Sequence, residues 1–418
     1  MNSRRRLQTT LNHEVPDRVC VDFGATNVTG IAVSTLSRLR QAVLGDNRYC
    51  VRMIEPFLML GEVDDELRRA LGIDVRGVFA QKGRFGVAAR GWKEFELPDG
   101  TPVMAPDWFD PTVDANGDWL LHPGGDRSVP PSARMPKGGF YFDAIIRQPP
   151  IDEERLDPRD NLEEFGPYSA EDVEHFATQA RLAAEAGWGV IISPPGLAFG
   201  DVSHVPGLAL AHPKGIRDVE EWYVALVTRP DYIYSVFDGQ CRIALRNLAA
   251  LADAVGGNAD VVLVSGTDFG SQRGPLISPR VYRELFKPFH TRLNAFIHAH
   301  TPWKTFIHSC GSVVELIPDF IEAGFDILNP IQTSAAGMDP VALKKEFGRK
   351  LVFWGGGVDT QKTLPFGTPG EVYREVRQRI EILGDGGGFV FNSVHCLQVN
   401  TPVENLLAMF RAIGDAGH

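Results

Sequence analysis

The order of apolar runs and helical segments predicts an α/β protein built as a single (β/α)8 barrel, the TIM-barrel architecture. Three observations carry this expectation. Eight short runs are apolar almost throughout, most are followed by a stretch of helical spacing, and residues equipped for chemistry fall just beyond the runs. Runs of this kind are buried on both faces, as parallel strands are. An open doubly wound sheet would call for a phosphate-binding G-x-G-x-x-G after the first run, and Phe23-Gly24-Ala25-Thr26-Asn27 does not supply one.

In chain order, residues 3–12 read as a short helix leading into the turn-like His13-Glu14-Val15-Pro16-Asp17. The first strand is Arg18-Val19-Cys20-Val21-Asp22-Phe23-Gly24. Residues 34–44 carry Leu36, Leu39, Val43 and Leu44 at helical spacing, and residues 64–71 form a further helix stopped by Gly72. Val75-Arg76-Gly77-Val78-Phe79-Ala80 is the second strand. The third to eighth are Gly189-Val190-Ile191-Ile192-Ser193, residues 259–265, Thr305-Phe306-Ile307-His308, Asp326-Ile327-Leu328-Asn329, Leu351-Val352-Phe353-Trp354 and Phe389-Val390-Phe391. Helices are expected over 169–186, 219–227, 232–255, 279–300, 313–323, 340–347, 371–383 and 402–412. Between about 81 and 160 the pattern breaks into aromatics, prolines and glycines alternating with polar residues (Trp92, Trp108, Trp119, Pro123-Gly124-Gly125). This predicts a β-rich, irregular insertion lying over one end of the barrel. It is too aromatic for a disordered linker.

The formal net charge of −11 argues against a nucleic-acid surface, which needs clustered Lys and Arg. No run approaches the roughly 18 apolar residues of a membrane span, and Arg4-Arg5-Arg6 is not followed by an apolar leader core. The five cysteines are odd in number and widely spaced, which does not suit a disulfide framework. A cytoplasmic protein with reduced thiols is the expectation.

In such barrels the site lies at the C-terminal ends of the strands. That end collects Asp22, Ser193, Asp268, His308, Cys310, Gln332, Asp359, His395 and Cys396. Imidazole and thiol donors suit zinc, and a barrel mouth brings the ends of the fifth and eighth strands within reach of one ion. The choice between His395 and Cys396 stays open at this point, as does the blander reading of each cysteine as a small buried hydrophobe. Cys20, Cys50 and Cys241 are read as structural, and His290, His298 and His300 as lying away from the mouth. Gly355-Gly356-Gly357 lies at the functional end, where backbone without side chains lets a ligand approach closely. Gly384-Asp385-Gly386-Gly387-Gly388 precedes the eighth strand and is read as a turn.

With these runs in hand, the chain resembles the uroporphyrinogen decarboxylase-like superfamily, in its zinc- and corrinoid-dependent methyltransferase branch. The carriers are Leu11-Asn12-His13-Glu14-Val15-Pro16-Asp17-Arg18-Val19, Gln272-Arg273-Gly274-Pro275-Leu276-Ile277-Ser278-Pro279, His308-Ser309-Cys310-Gly311 and Asn400-Thr401-Pro402-Val403-Glu404-Asn405. The resemblance implies zinc held by His308, Cys310 and Cys396, and methyl transfer to or from the cobalt of a corrinoid (cobalamin). With no recognisable corrinoid module, the cobalt is expected on a separate corrinoid-binding protein docking at the mouth. Asp268 stands as a further ligand or proton carrier, Gln332 as a hydrogen-bonder to a small-molecule methyl donor or acceptor, and Gly355 and Gly356 as ligand-facing backbone. True decarboxylases of the superfamily carry an Arg-rich substrate motif near the N-terminus; Asp22-Phe23-Gly24-Ala25-Thr26-Asn27 lacks it. The competing expectations are a decarboxylase-like lyase, a zinc hydrolase and a non-catalytic binding barrel.

Overall fold

A computed structural model of the chain describes residues 1–417. Eight parallel strands form one sheet: β1 (Cys20–Val21), β2 (Val75–Phe79), β3 (Gly189–Ser193), β4 (Val261–Ser265), β5 (Lys304–His308), β6 (Ile327–Asn329), β7 (Val352–Trp354) and β8 (Phe389–Phe391). Their order is β1-β8-β7-β6-β5-β4-β3-β2, which rolls into the (β/α)8 barrel with helices between the strands.

β1 and β2 meet without a strand ladder. Instead the Asp74 N–H donates to the Val21 carbonyl at 2.8 Å, and the Val21 N–H donates to the Asp74 carboxylate at 3.1 Å. That fully buried carboxylate also accepts from Arg6 at 2.6 Å and from Arg18 at 2.8 and 2.9 Å. Gly77 sits at this seam because a Cβ there would lie 2.1 Å from the Ala25 carbonyl oxygen.

Two apolar layers follow from the strand alternation. Cys20, Val75, Ile191, Val261, Phe306, Ile327, Val352, Trp354 and Val390 fill the barrel interior, while residues such as Val21, Ile307, Leu328 and Phe353 face the helices. The first helix (Ser3–Leu11) is capped by the Asn2 side chain, which accepts from the Arg5 N–H. It inserts Leu7 and Leu11 into the interior layer and so closes the N-terminal end of the barrel. Chemistry is left to the other end.

The helices start where their caps dictate. Ser169 with Asp172 and Thr368 with Glu371 form reciprocal capping boxes for Ala170–Glu185 and Pro369–Gly384. The expected helix over 313–323 is shorter, Ile317–Glu322, because Pro318 fits only its first turn. The expected helix over 279–300 is helical throughout but contains one π-turn, Tyr282–Phe286.

Outside the barrel are two four-stranded sheets. One joins Leu60–Gly61, Val51–Glu55, Pro102–Pro106 and Trp92–Glu96; the other joins Asp143–Ala144, Ala133–Met135, Trp119–Leu121 and Thr112–Val113. The strands at 51–61 were not anticipated, although Val51, Met53 and Glu55 alternate with more exposed Arg52 and Ile54. Phe95 packs on Phe109 and Trp119, with ring centroids at 5.2 and 5.6 Å. The segment reaches the C-terminal side of the barrel. Arg84 donates to the Ser203 hydroxyl at 2.7 Å, and Arg147 donates to the carbonyls of Gly207 and Leu210, all on the stretch that follows β3.

Candidate metal site at the barrel mouth

β5 delivers His308 to the mouth, and the chain then turns sharply through Cys310 and Gly311. Gly311 has φ +85°, and a Cβ there would lie 2.4 Å from the Gly270 backbone, so the turn tolerates only glycine. Neighbouring strand ends hold every donor of this turn. The Ser309 N–H donates to the Asn329 carbonyl at 2.7 Å, and the Cys310 N–H donates to Asp268 Oδ1 at 2.6 Å. The Gly311 N–H donates to Gln332 Oε1 at 2.7 Å, and the Phe269 N–H donates to the Ser309 hydroxyl at 2.8 Å.

His308 is 2% exposed. Its Nδ1 lies 2.6 Å from Asn329 Oδ1, and its Nε2 lies 3.5 Å from Cys310 Sγ and 3.6 Å from Asp268 Oδ1. Across the mouth, the turn after β8 is held by Asn392, whose amide donates to the Asp22 carbonyl at 2.7 Å. From that turn the His395 ring meets the His308 ring edge to face, at 5.5 Å between centroids. The ligating atoms of His308, Cys310 and His395 all lie within 4.8 Å of one another.

Cys396 stays out of this group. Its buried thiol turns away and donates to the Asn27 carbonyl at 3.1 Å. The turn after β8 presents residue 395 to β5 and residue 396 to the loop after β1. Of the expected set His308, Cys310 and Cys396, the structure brings His308 and Cys310 together, with His395 as their neighbour and Cys396 facing Asn27.

The three donors suit a tetrahedral zinc ion. With a Zn–S bond of about 2.3 Å and a Zn–N bond of about 2.05 Å, tetrahedral angles place sulfur and nitrogen about 3.6 Å apart. The Cys310 Sγ to His308 Nε2 separation is 3.5 Å. Burial and the neighbouring His308 push His395 down to about 3, so it is a neutral imidazole with a lone pair to offer. Burial, with Asp268 and Cys396 nearby, pushes the Cys310 thiol well up. A cation beside that sulfur reverses the preference and stabilises the thiolate.

The remaining expected residues take distinct places. Asp268 is at the site, with its side chain 40% exposed and Oδ1 holding the Cys310 N–H. Gln332 is buried and its Oε1 is occupied by Gly311, so it positions the ligand turn. Gly355 (φ +86°) and Gly356 (φ +90°) lie tight against neighbouring strands. A Cβ on Gly355 would lie 2.9 Å from the Ser393 carbonyl oxygen and 3.0 Å from Asn329 Nδ2, and one on Gly356 would lie 2.5 Å from the Ile331 carbonyl oxygen. What the bare backbone admits is neighbouring protein.

Sequence reasoning passed over Asn329, Trp354 and Asp22 as a group. The Asn329 amide donates to the Trp354 carbonyl at 2.7 Å, and the Trp354 indole donates to Asp22 Oδ2 at 2.9 Å. Burial pushes Asp22 up to about 6, partly offset by its hydrogen bond from Trp354. All three lie at strand ends, the same position that singled out His308. Cavities of about 240 and 270 Å³ lie at the opposite end of the barrel. Arg4, Gln8 and Asp260 line one, and His298, Trp303 and Asp326 the other.

Residues 209–416 match the model of the uroporphyrinogen decarboxylase (URO-D) family. No curated protein matches the sequence. Among solved structures, the fold is similar to that of a methyltransferase from Methanosarcina mazei, at 15% identity over 99% of both chains with a TM-score of 0.54. A GH113 β-1,4-mannanase matches at 10% identity over 57% of this chain and 78% of that chain. The GH53 catalytic domain of Ignisphaera aggregans matches at 16% identity over 62% and 82%. Both have TM-scores of 0.28.

Proposed function

We propose, from the match of residues 209–416 to the uroporphyrinogen decarboxylase (URO-D) family model, that the chain is a zinc-dependent methyltransferase of the uroporphyrinogen decarboxylase-like superfamily. In this reading it moves a methyl group between a small methylated substrate, or a thiol or pterin acceptor, and a corrinoid carried by a separate protein. The observation that carries the reading is the convergence of His308, Cys310 and His395 within 4.8 Å at the mouth of the barrel.

His308 Nε2, Cys310 Sγ and a His395 ring nitrogen would hold the ion, leaving a position open toward the mouth. Zinc bound there supplies Lewis acidity, either lowering the pKa of a substrate thiol or polarising the group from which methyl departs. Asp268 keeps Cys310 in place through its backbone N–H and has a second carboxylate oxygen for a proton of the substrate. Gln332 fixes the Gly311 turn behind the ligand. Arg84 and Arg147, outside the two extra sheets, tie that part of the chain to the segment following β3.

The test combines metal analysis with turnover. Protein purified with zinc is mixed with a reduced corrinoid protein, or with free cob(I)alamin, and a panel of methoxylated, methylthio and methylamine substrates. Loss of the cob(I)alamin spectrum with growth of methylcobalamin, dependent on zinc, is the expected result. Turnover without corrinoid would overturn the reading, as would failure to bind zinc at all.

A further inference from the structure

We propose that Asn329 is the positioning residue that sets the tautomer of His308, leaving Nε2 without a proton where the metal would bind. This rests on the metal reading above and adds to it the residue that prepares the ligand. Asn329 is 1% exposed and sits at the end of β6, beside the end of β5. The orientation of its amide is settled by its far partner. The Trp354 carbonyl can only accept, so the atom 2.7 Å from it is the NH2 group. The other amide atom is therefore the oxygen, and it lies 2.6 Å from His308 Nδ1. An oxygen acceptor at that distance requires the proton on Nδ1, and a neutral imidazole then has a bare Nε2.

Without this contact, the competing tautomer has an acceptor waiting. Asp268 Oδ1 lies 3.6 Å from Nε2 and would favour a proton there, masking the lone pair that faces Cys310. Two further features fix the amide. The Trp354 indole is anchored on buried Asp22, and Gly355 has no Cβ, which would otherwise come within 3.0 Å of Asn329 Nδ2. The backbone carbonyl of Asn329 also accepts from Ser309, so one residue orients both the backbone and the ring of the ligand strand.

The test uses Asn329→Leu, which is close in size without an acceptor, Asn329→Asp, which keeps an acceptor, and His308→Ala. Zinc affinity is read by competition with a chromophoric chelator, and the His308 tautomer by 15N chemical shifts in metal-free protein. Asn329→Leu is expected to weaken zinc binding by about 10–100-fold, the usual effect of removing a group that orients a ligand. Asn329→Asp is expected to restore most of it. The 15N shifts should show Nδ1–H in the natural protein and a mixture in Asn329→Leu. If Asn329→Leu binds zinc as tightly as the natural protein while His308→Ala loses it, the positioning role is overturned and the metal site stands. If His308→Ala keeps its zinc, the metal reading itself falls. If Asn329→Leu does not fold, the natural protein decides, because an Nε2–H signal there overturns the proposal alone.

Discussion

Replacing in turn the two adjacent residues after β8 separates the proposed ligand set, with His395, from the alternative with Cys396. His395→Ala removes a donor from the group whose atoms lie within 4.8 Å. Structural zinc sites with four ligands bind with about 10–16 kcal/mol, so one ligand accounts for about 3–4 kcal/mol, or roughly a 100- to 1,000-fold loss of affinity. Cys396→Ser should leave zinc affinity unchanged. Its thiol is engaged with the Asn27 carbonyl at 3.1 Å, and a serine hydroxyl makes the same bond, so only about 1 kcal/mol of stability is at stake. Competition against a chromophoric chelator reads the first quantity and urea unfolding the second. Cobalt substitution adds an independent signature. A site with one thiolate shows charge transfer from a single sulfur, which should vanish in Cys310→Ser and persist in Cys396→Ser. Loss of zinc in Cys396→Ser with retention in His395→Ala would refute the geometry.

Three further outcomes follow from named contacts. Gly356→Ala should destabilise by about 2–4 kcal/mol in denaturant unfolding, since φ +90° is strained for alanine and its Cβ would lie 2.5 Å from the Ile331 carbonyl oxygen; a shift there also loosens Gln332 and lowers zinc affinity. Asp74→Ala should cost about 3–5 kcal/mol, because it strips Arg6 and Arg18 of a buried partner and leaves the Val21 N–H unpaired at the β1–β2 seam, and an unchanged urea midpoint would contradict this. His290 is fully buried among aromatic rings, and burial pushes it down to about 3 against an ordinary 6.5. The unfolded chain therefore takes up a proton below pH 6.5 that the fold refuses, so stability falls as pH drops from 6.5 toward 3. The deficit at pH 5 is about 2 kcal/mol, and His290→Phe should abolish that share of the acid sensitivity.

The barrel was legible because its signal is repeated. Eight apolar runs recur with helical segments between them, and no single ambiguous run decides the architecture. The fifth strand was legible down to its last residue, since Lys304–His308 ends where the apolar pattern gives way to Ser309 and Cys310. The strands at 51–61 were missed because Leu60–Gly61 is only two residues long and Val51–Glu55, its hairpin partner, is completed by Pro102–Pro106, far along the chain, which no local pattern announces. The choice between His395 and Cys396 stayed open in the sequence for a related reason. Residues 395 and 396 share the same strand end, and which faces β5 depends on the backbone path of a turn that has no periodicity. The glycines at 355 and 356 were read as backbone open to a ligand, and what lies against them in the structure is Ser393 and Ile331, which approach from other strands. Sequence indicates which residues stand at the mouth, whereas side-chain direction comes from tertiary contacts.

Whether His395 or Cys396 completes the proposed site has a chemical consequence. A dication bound by two thiolates and an imidazole is formally neutral, whereas one thiolate and two imidazoles leave a formal charge of +1. The less neutralised ion is the stronger Lewis acid, and it favours a substrate that develops negative charge as methyl leaves, such as the oxygen of a methoxy group. Asp268 sets the limit on this argument. Its Oδ1 lies 3.6 Å from His308 Nε2, close enough to enter the same coordination sphere and cancel the remaining charge. In the present arrangement that oxygen accepts from the Cys310 N–H at 2.6 Å, so the carboxylate acts as a positioning group for the Cys310 turn. That bond exists because the turn after β5 exposes its N–H groups toward the segments following β4 and β6, where Asp268 and Gln332 accept them.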